Sequence, residues 1–134
     1  MCPPLKDDSA PRPETDSTIL DATTIQNLVD LDDGGFGLLQ EMIDIFREDT
    51  PRRIHDIVSA AAKGHAEELS HAAHALKGGA GALGAAALRH LSADLEALGR
   101  SGSADAGADL RERLEACFQA SLVALDAYIA KGKP

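Results

Sequence analysis

The sequence predicts an all-α protein: an antiparallel, up-down four-helix bundle with an additional short N-terminal helix. Three observations lead there. Hydrophobic residues make up 44% of the chain while aromatics make up 3% and Trp is absent; a mix drawn from Ala and Leu favours helices over a β-sandwich or barrel. Apolar residues recur at three- and four-residue steps through four long segments. The breaks between those segments are short and rich in Gly, Asp, Ser and Pro, so consecutive helices must run antiparallel. A chain of 134 residues suits one domain with one core.

Residues 1–16 carry Pro3, Pro4, Pro11 and Pro13 among Asp, Ser, Glu and Thr, and read as a disordered N-terminal arm. The folded domain is expected over 17–131. Asp21 is placed to cap a first short helix whose apolar side is Ile25, Leu28 and Val29, and Asp32-Asp33-Gly34-Gly35 ends it. A second helix starts near Phe36 or Gly37, with a wide stripe of Leu38, Leu39, Met42, Ile43, Ile45 and Phe46. Thr50-Pro51 has the form of a helix start, so a kink or restart is expected there. Ile54, Ile57, Val58 and Ala61 continue the stripe to Gly64.

The third helix, from about His65 to Leu83, is predicted to bury Ala66, Leu69, Ala73, Leu76, Ala80 and Leu83, with Gly84 ending it. A fourth, Ala85 to about Gly99, carries Leu88, Leu91, Leu95 and Leu98. Ser101-Gly102-Ser103 is a loop. A fifth, from about Asp105 to Ala130, carries Leu110, Leu114, Cys117, Phe118, Ser121, Leu125, Tyr128 and Ile129. Cys117 reads as a small core residue; two cysteines, one of them Cys2 in the arm, make no disulfide framework.

Composition also excludes function classes. A net charge of −9 disfavours nucleic acid, whose phosphates require clustered Lys and Arg. The first residues lack the apolar core of a secretory signal, and no apolar run reaches membrane-spanning length. A soluble, cytoplasmic protein is expected, and Met1 followed by the arm points to a free-standing one.

Chemistry concentrates in the third helix. His74, Lys77, Gly78, Gly79 and Gly81 stand where a structural helix would take Leu, Glu or Ala, and a helical glycine costs about 0.5–1 kcal/mol relative to alanine. At about 100° per residue, His74 falls roughly 140° from Leu69, outside the buried stripe. Lys77 and Gly78 are its neighbours one turn on. Gly79 lies nearer the core side and is expected to serve internal packing. Because the third and fourth helices meet at a tight turn, His74 should lie level with Asp94 to Glu96. A carboxylate there would fix the imidazole tautomer and leave the other ring nitrogen as a nucleophile. Lys77, and Arg100 one turn past Glu96, could hold the charge of an arriving anion.

Metal binding is the competing reading of His71 and His74. Carboxylate-bridged di-metal bundles need Glu-x-x-His units on two helices and two further Glu; Glu68-Leu69-Ser70-His71 has no second copy. His55, His65 and His90 read as solvated.

Ala73-His74-Ala75-Leu76-Lys77-Gly78, with Gly84 six residues on, resembles the signature of histidine-containing phosphotransfer (HPt) domains, His-x-Leu-Lys-Gly-x(5)-Gly. Leu95-Glu96 and the region from Phe46 to Pro51 are similar to further parts of that pattern, and the likeness extends over roughly Ser17 to Ala130. It implies a four-helix bundle whose exposed His74 accepts a phosphoryl group through Nε2 from a receiver-domain aspartate and relays it to another receiver. By the same likeness Lys77 is the neighbouring cation, and Gly78 leaves room for the phosphoryl group and the docking receiver. Glu96 supports the ring, and Arg100 is a further supporting residue. His71 is outside the signature.

The partners so implied are the receiver domains of a hybrid histidine kinase and of a response regulator, with the chain itself a monomer. No cofactor is expected in this chain; Mg²⁺ would belong to the receiver. No phosphate-cradling Gly-rich loop is present, so ATP-dependent kinase activity is not expected. Ala75, Gly78, Ala82 and Ala85 are candidates for the contact patch, since interface cores are depleted in charge. The alternative is a helical module that binds receivers or a kinase without carrying phosphate; the presence of both His74 and Lys77 speaks against it.

Overall fold

The computed structural model describes residues 19–132, and all its elements are helical. They are α1 (Ala22–Leu31), α2 (Gly37–Ala62), α3 (Ala66–Leu83), α4 (Ala86–Arg100) and α5 (Leu110–Gly132). Helices α2 to α5 form the bundle: α3 packs on both α2 and α4, and α5 closes the ring against α4 and α2. Helix α1 lies across α2 and α3. The expected arm over 1–16 lies outside the described residues.

The core follows the apolar periodicity. Leu39, Ile43, Ile54 and Ile57 of α2, Leu69, Leu76 and Leu83 of α3, Leu88 and Leu95 of α4, and Leu114 and Leu125 of α5 are essentially inaccessible. Phe46 and Phe118 meet edge to face across α2 and α5 with centroids 5.2 Å apart, the favoured geometry for aromatic pairs. Cys117 is buried with them.

Asp21 caps α1 as expected, its carboxylate accepting from the Thr23 and Thr24 amides. The Thr24 hydroxyl, donating to the same carboxylate at 2.9 Å, does most to hold the Asp21 carboxyl below its ordinary range. The Asp21 amide donates to Gly84 O at 2.7 Å, which ties α1 to the α3–α4 turn. Gly84 itself has φ +79°, and the Ala85 amide closes the turn on Ala80 O at 2.8 Å. That left-handed position favours glycine, and a Cβ there would also sit 3.0 Å from Asp21 O.

Four expectations are corrected. Helix α2 runs unbroken through Pro51, so the restart that Thr50-Pro51 suggests does not occur. Phe46, Thr50, Ile54 and Ile57 stay buried on one face across it, while Pro51 is on the solvent side, where the Arg47 carbonyl that loses its amide partner can be hydrated. Helix α5 begins at Leu110 rather than near Asp105, because Gly107 adopts φ +96° and breaks the helical path. Ala66 is only half-buried and Ser70 is buried in its place. Ala85 is fully buried; the tight turn points it into the core and removes it from any contact patch.

Ser70 is buried by an unusually close helix approach. A Cβ on Gly99 of α4 would fall 2.5 Å from Ala66 O and 2.7 Å from Ser70 N of α3. Gly99 therefore sets how near the ends of α3 and α4 can come, one turn from the residues described next.

Candidate functional site

Buried Leu69, Ala73, Leu76, Ala80 and Leu83 fix the rotation of α3, and that rotation sends His74 outward with 65% of its side chain exposed. On α4, Leu88, Leu91 and Leu95 fix the opposing face. Glu96, one residue past Leu95, is turned into the α3–α4 seam and only 5% of its side chain is exposed. It is the one buried carboxylate among the described residues. Burial of a carboxylate is unfavourable unless its oxygens are hydrogen-bonded and its charge is matched.

Three groups do that. Lys77 Nζ donates to Glu96 Oε1 at 2.6 Å. His74 Nδ1 lies 2.8 Å from Oε2, and Arg100 Nη2 forms an ion pair with the same oxygen at 2.9 Å. The Lys77 contact foremost, with the His74 hydrogen bond and the Arg100 charge behind it, holds the Glu96 carboxyl below the usual carboxylate range, against the opposing effect of burial. An ionised carboxylate only accepts, so Nδ1 carries a hydrogen, and in the neutral ring Nε2 is then the nitrogen with the lone pair. Nε2 has no hydrogen-bond partner among the described residues.

The structure therefore brings His74, Lys77, Glu96 and Arg100 together, in the register that an antiparallel α3–α4 pair requires. It also ties both cations to Glu96, whereas from the sequence they stood ready for an incoming anion. Gly78 is exposed, one turn beyond His74, and a Cβ there would meet nothing within 4 Å. Its lack of a side chain has no origin in the packing of this chain.

Gly79 is corrected. It is exposed rather than packed inside the bundle, and its Cβ would also meet nothing; it opens onto a shallow apolar groove shared with Ile45 and Phe46 of α2. Its step of about 100° from Gly78 carries it to the α2 side of α3 but not beneath it. Gly81 is covered instead by the stem of Arg89, whose Cδ would lie 3.0 Å from a Cβ.

On the other side of His74 an open groove of about 530 Å³ runs between α3 and α4, lined by Ser70, His71, His74, Glu96, Gly99 and Arg100 among others. His71 is exposed there. No three His, Cys, Asp or Glu side chains among the described residues group as a metal site would require.

Gly99 was not legible as a site residue. The available signal was a glycine three residues after a carboxylate in a strongly amphipathic helix, on the face opposite the solvent.

Fold and site together are an all-helical bundle that displays a histidine braced by a buried carboxylate. The Hpt domain family model matches residues 41–124, a span that contains His74, Lys77, Gly78, Glu96 and Arg100. The chain belongs to the Hpt domain family. Neither the curated proteins nor the solved structures searched gave a match. At family level, membership assigns the chain to histidine phosphotransfer in two-component phosphorelays, with receiver domains as partners and a phosphotransfer rather than a kinase role. No helix among the described residues is long and apolar enough to cross a membrane.

Proposed function

We propose that His74 is the phosphorylated residue, accepting a phosphoryl group at Nε2 from the aspartyl phosphate of one receiver domain and passing it to the aspartate of another. The donor would be the receiver of a hybrid histidine kinase and the acceptor that of a response regulator. The observation that carries this reading is the 2.8 Å contact between His74 Nδ1 and Glu96 Oε2, which makes Nε2 the nitrogen with the lone pair when this solvent-exposed ring is neutral.

Transfer between a carboxylate and an imidazole asks this chain for positioning and charge, not for bond-making groups other than Nε2. Glu96 holds the ring, and Lys77 and Arg100 keep Glu96 ionised. Gly78 leaves the approach to His74 clear of side chain, and Gly79 and Ala82 extend that low-relief surface toward α2. Mg²⁺ would be carried by the receiver. The chain needs no cofactor of its own and would not phosphorylate itself from ATP.

We further propose that the chain acts as a cytoplasmic monomer, its phosphotransfer domain spanning 17–131. Among the described residues the exposed large hydrophobic residues, Leu31, Ile45 and Val123, are carried by three different helices.

The test is incubation of the purified chain with a phosphorylated receiver domain. Wild type should take up acid-labile, base-stable label, and His74→Gln should take up none. Equal labelling of the two would refute the proposal; binding of the receiver without label would favour the module that docks and carries no phosphate.

A further inference from the structure

The two oxygens of Glu96 are loaded differently. The nearest contact of Lys77 is to Oε1, at 2.6 Å. Oε2 is shared between His74 Nδ1 at 2.8 Å and Arg100 Nη2 at 2.9 Å. The two cations also differ in freedom: 33% of the Lys77 side chain is exposed against 69% of Arg100. Arg100 is the last residue of α4, makes its nearest contact with Glu96 through Nη2, and lines the open groove beside His74 together with Glu67 and His71; Lys77 does not line it.

From this asymmetry we infer that Arg100 is an exchangeable cation, which leaves Glu96 Oε2 for the phosphoryl oxygens when His74 is phosphorylated while Lys77 stays on Oε1. The inference rests on His74 being the phosphorylated residue.

The chemistry of transfer drives the exchange. The Nε2 lone pair forms the N–P bond, the bond from phosphorus to the aspartyl oxygen breaks, and its electron pair returns to the carboxylate. No proton has to move, because Nδ1 keeps its hydrogen. The ring thereby passes from neutral to cationic, so its bond to Oε2 becomes charge-assisted from both sides and shorter. Arg100 is then the weaker claimant on that oxygen. At the same moment a phosphoryl dianion has arrived one side chain away, and its oxygens accept a guanidinium fork in the bidentate geometry that a single carboxylate oxygen cannot offer. Before transfer, Glu96, Lys77, Arg100 and the neutral ring sum to one positive charge in excess, and Arg100 is the member free to carry it across. Lys77, partly covered and nearest to Oε1, keeps Glu96 ionised and the ring in place.

The experiment uses the full chain and phosphoramidate as a small phosphoryl donor, so that no partner has to be identified. The ³¹P resonance of the phosphohistidine is followed through a pH titration in wild type, Arg100→Ala, Arg100→Lys and Lys77→Gln. A guanidinium on the phosphoryl oxygens favours the dianion, so the wild-type midpoint should lie below that of Arg100→Ala by roughly half a pH unit, the size of one partly exposed charge-assisted contact. Arg100→Lys should recover part of the difference, and Lys77→Gln should titrate close to wild type. Coincident titrations of wild type and Arg100→Ala would overturn the exchange alone. A shift confined to Lys77→Gln would overturn it in favour of Lys77, and phosphorus on a residue other than His74 would overturn both the exchange and the reading beneath it.

Discussion

Replacing Gly78 by alanine separates what this helix needs for folding from what it needs for function. Gly78 sits inside α3, is exposed, and would meet nothing within 4 Å of an added Cβ. No clash therefore opposes the substitution, and the intrinsic preference of alanine over glycine in a helix interior, about 0.5–1 kcal/mol, should appear as a gain in stability. For a domain of this size that corresponds to a rise in Tm of roughly 2–6 °C. Gly78→Leu adds a long side chain at the same open position and should also leave the fold intact. Phosphotransfer should change in the opposite sense: slower in Gly78→Ala and severely slowed in Gly78→Leu, as bulk occupies the approach to His74. Circular dichroism melting gives the first quantity, and initial rates of label uptake from a phosphorylated receiver give the second. A drop in Tm for Gly78→Ala would mean that the position serves internal packing. Unchanged transfer in Gly78→Leu would mean that nothing docks there.

Gly99→Ala makes the contrasting case. With Ala66 O 2.5 Å and Ser70 N 2.7 Å from the new methyl, α3 and α4 must separate, at a cost of about 1–3 kcal/mol, read as a lower urea midpoint, with slower transfer as Glu96 shifts from His74. Asp21→Ala removes the cap of α1 and should cost about 1 kcal/mol in the same urea assay while transfer stays at the wild-type rate. The Glu96 carboxyl is held below its ordinary range in the folded chain, so its contribution is present above the unfolded value of about pH 4.3 and is lost as pH falls through the lower folded value. Glu96→Gln should accordingly flatten the acid limb of stability against pH, measured by urea midpoints; an unaltered limb would mean that the carboxylate is not coupled to folding.

The sequence made the bundle and the phase of α3 legible because both rest on periodicity: Leu69, Ala73, Leu76, Ala80 and Leu83 leave only one outward direction for His74. The pairing of His74 with Glu96 was legible too, since a tight turn at Gly84 and antiparallel packing fix which residues stand level. Local rules failed where tertiary contacts decide. Thr50-Pro51 has the chemistry of a helix start, yet burial of Phe46, Thr50 and Ile54 on one face carries α2 through it without a break. Asp105 could have begun α5, but the left-handed Gly107 delays it to Leu110. Gly79 was assigned to the buried side because it lies near the edge of the stripe, where a small difference in rotation decides, and Ala85 to the surface because the turn that points it inward lies outside the helical periodicity. The close approach at Gly99 has no signature in one helix read alone; it arises from the surfaces of two.

The central claim is that Glu96 holds the His74 ring so that Nε2 is the nucleophile, and long-range ¹H–¹⁵N correlation of the imidazole tests it most directly. At neutral pH the His74 ring should show the Nδ1–H form, and after exposure to a phosphorylated receiver phosphorus should couple to Nε2 of the same ring. An Nε2–H ring in the resting chain, or phosphorus on Nδ1 or on His71, would contradict the account.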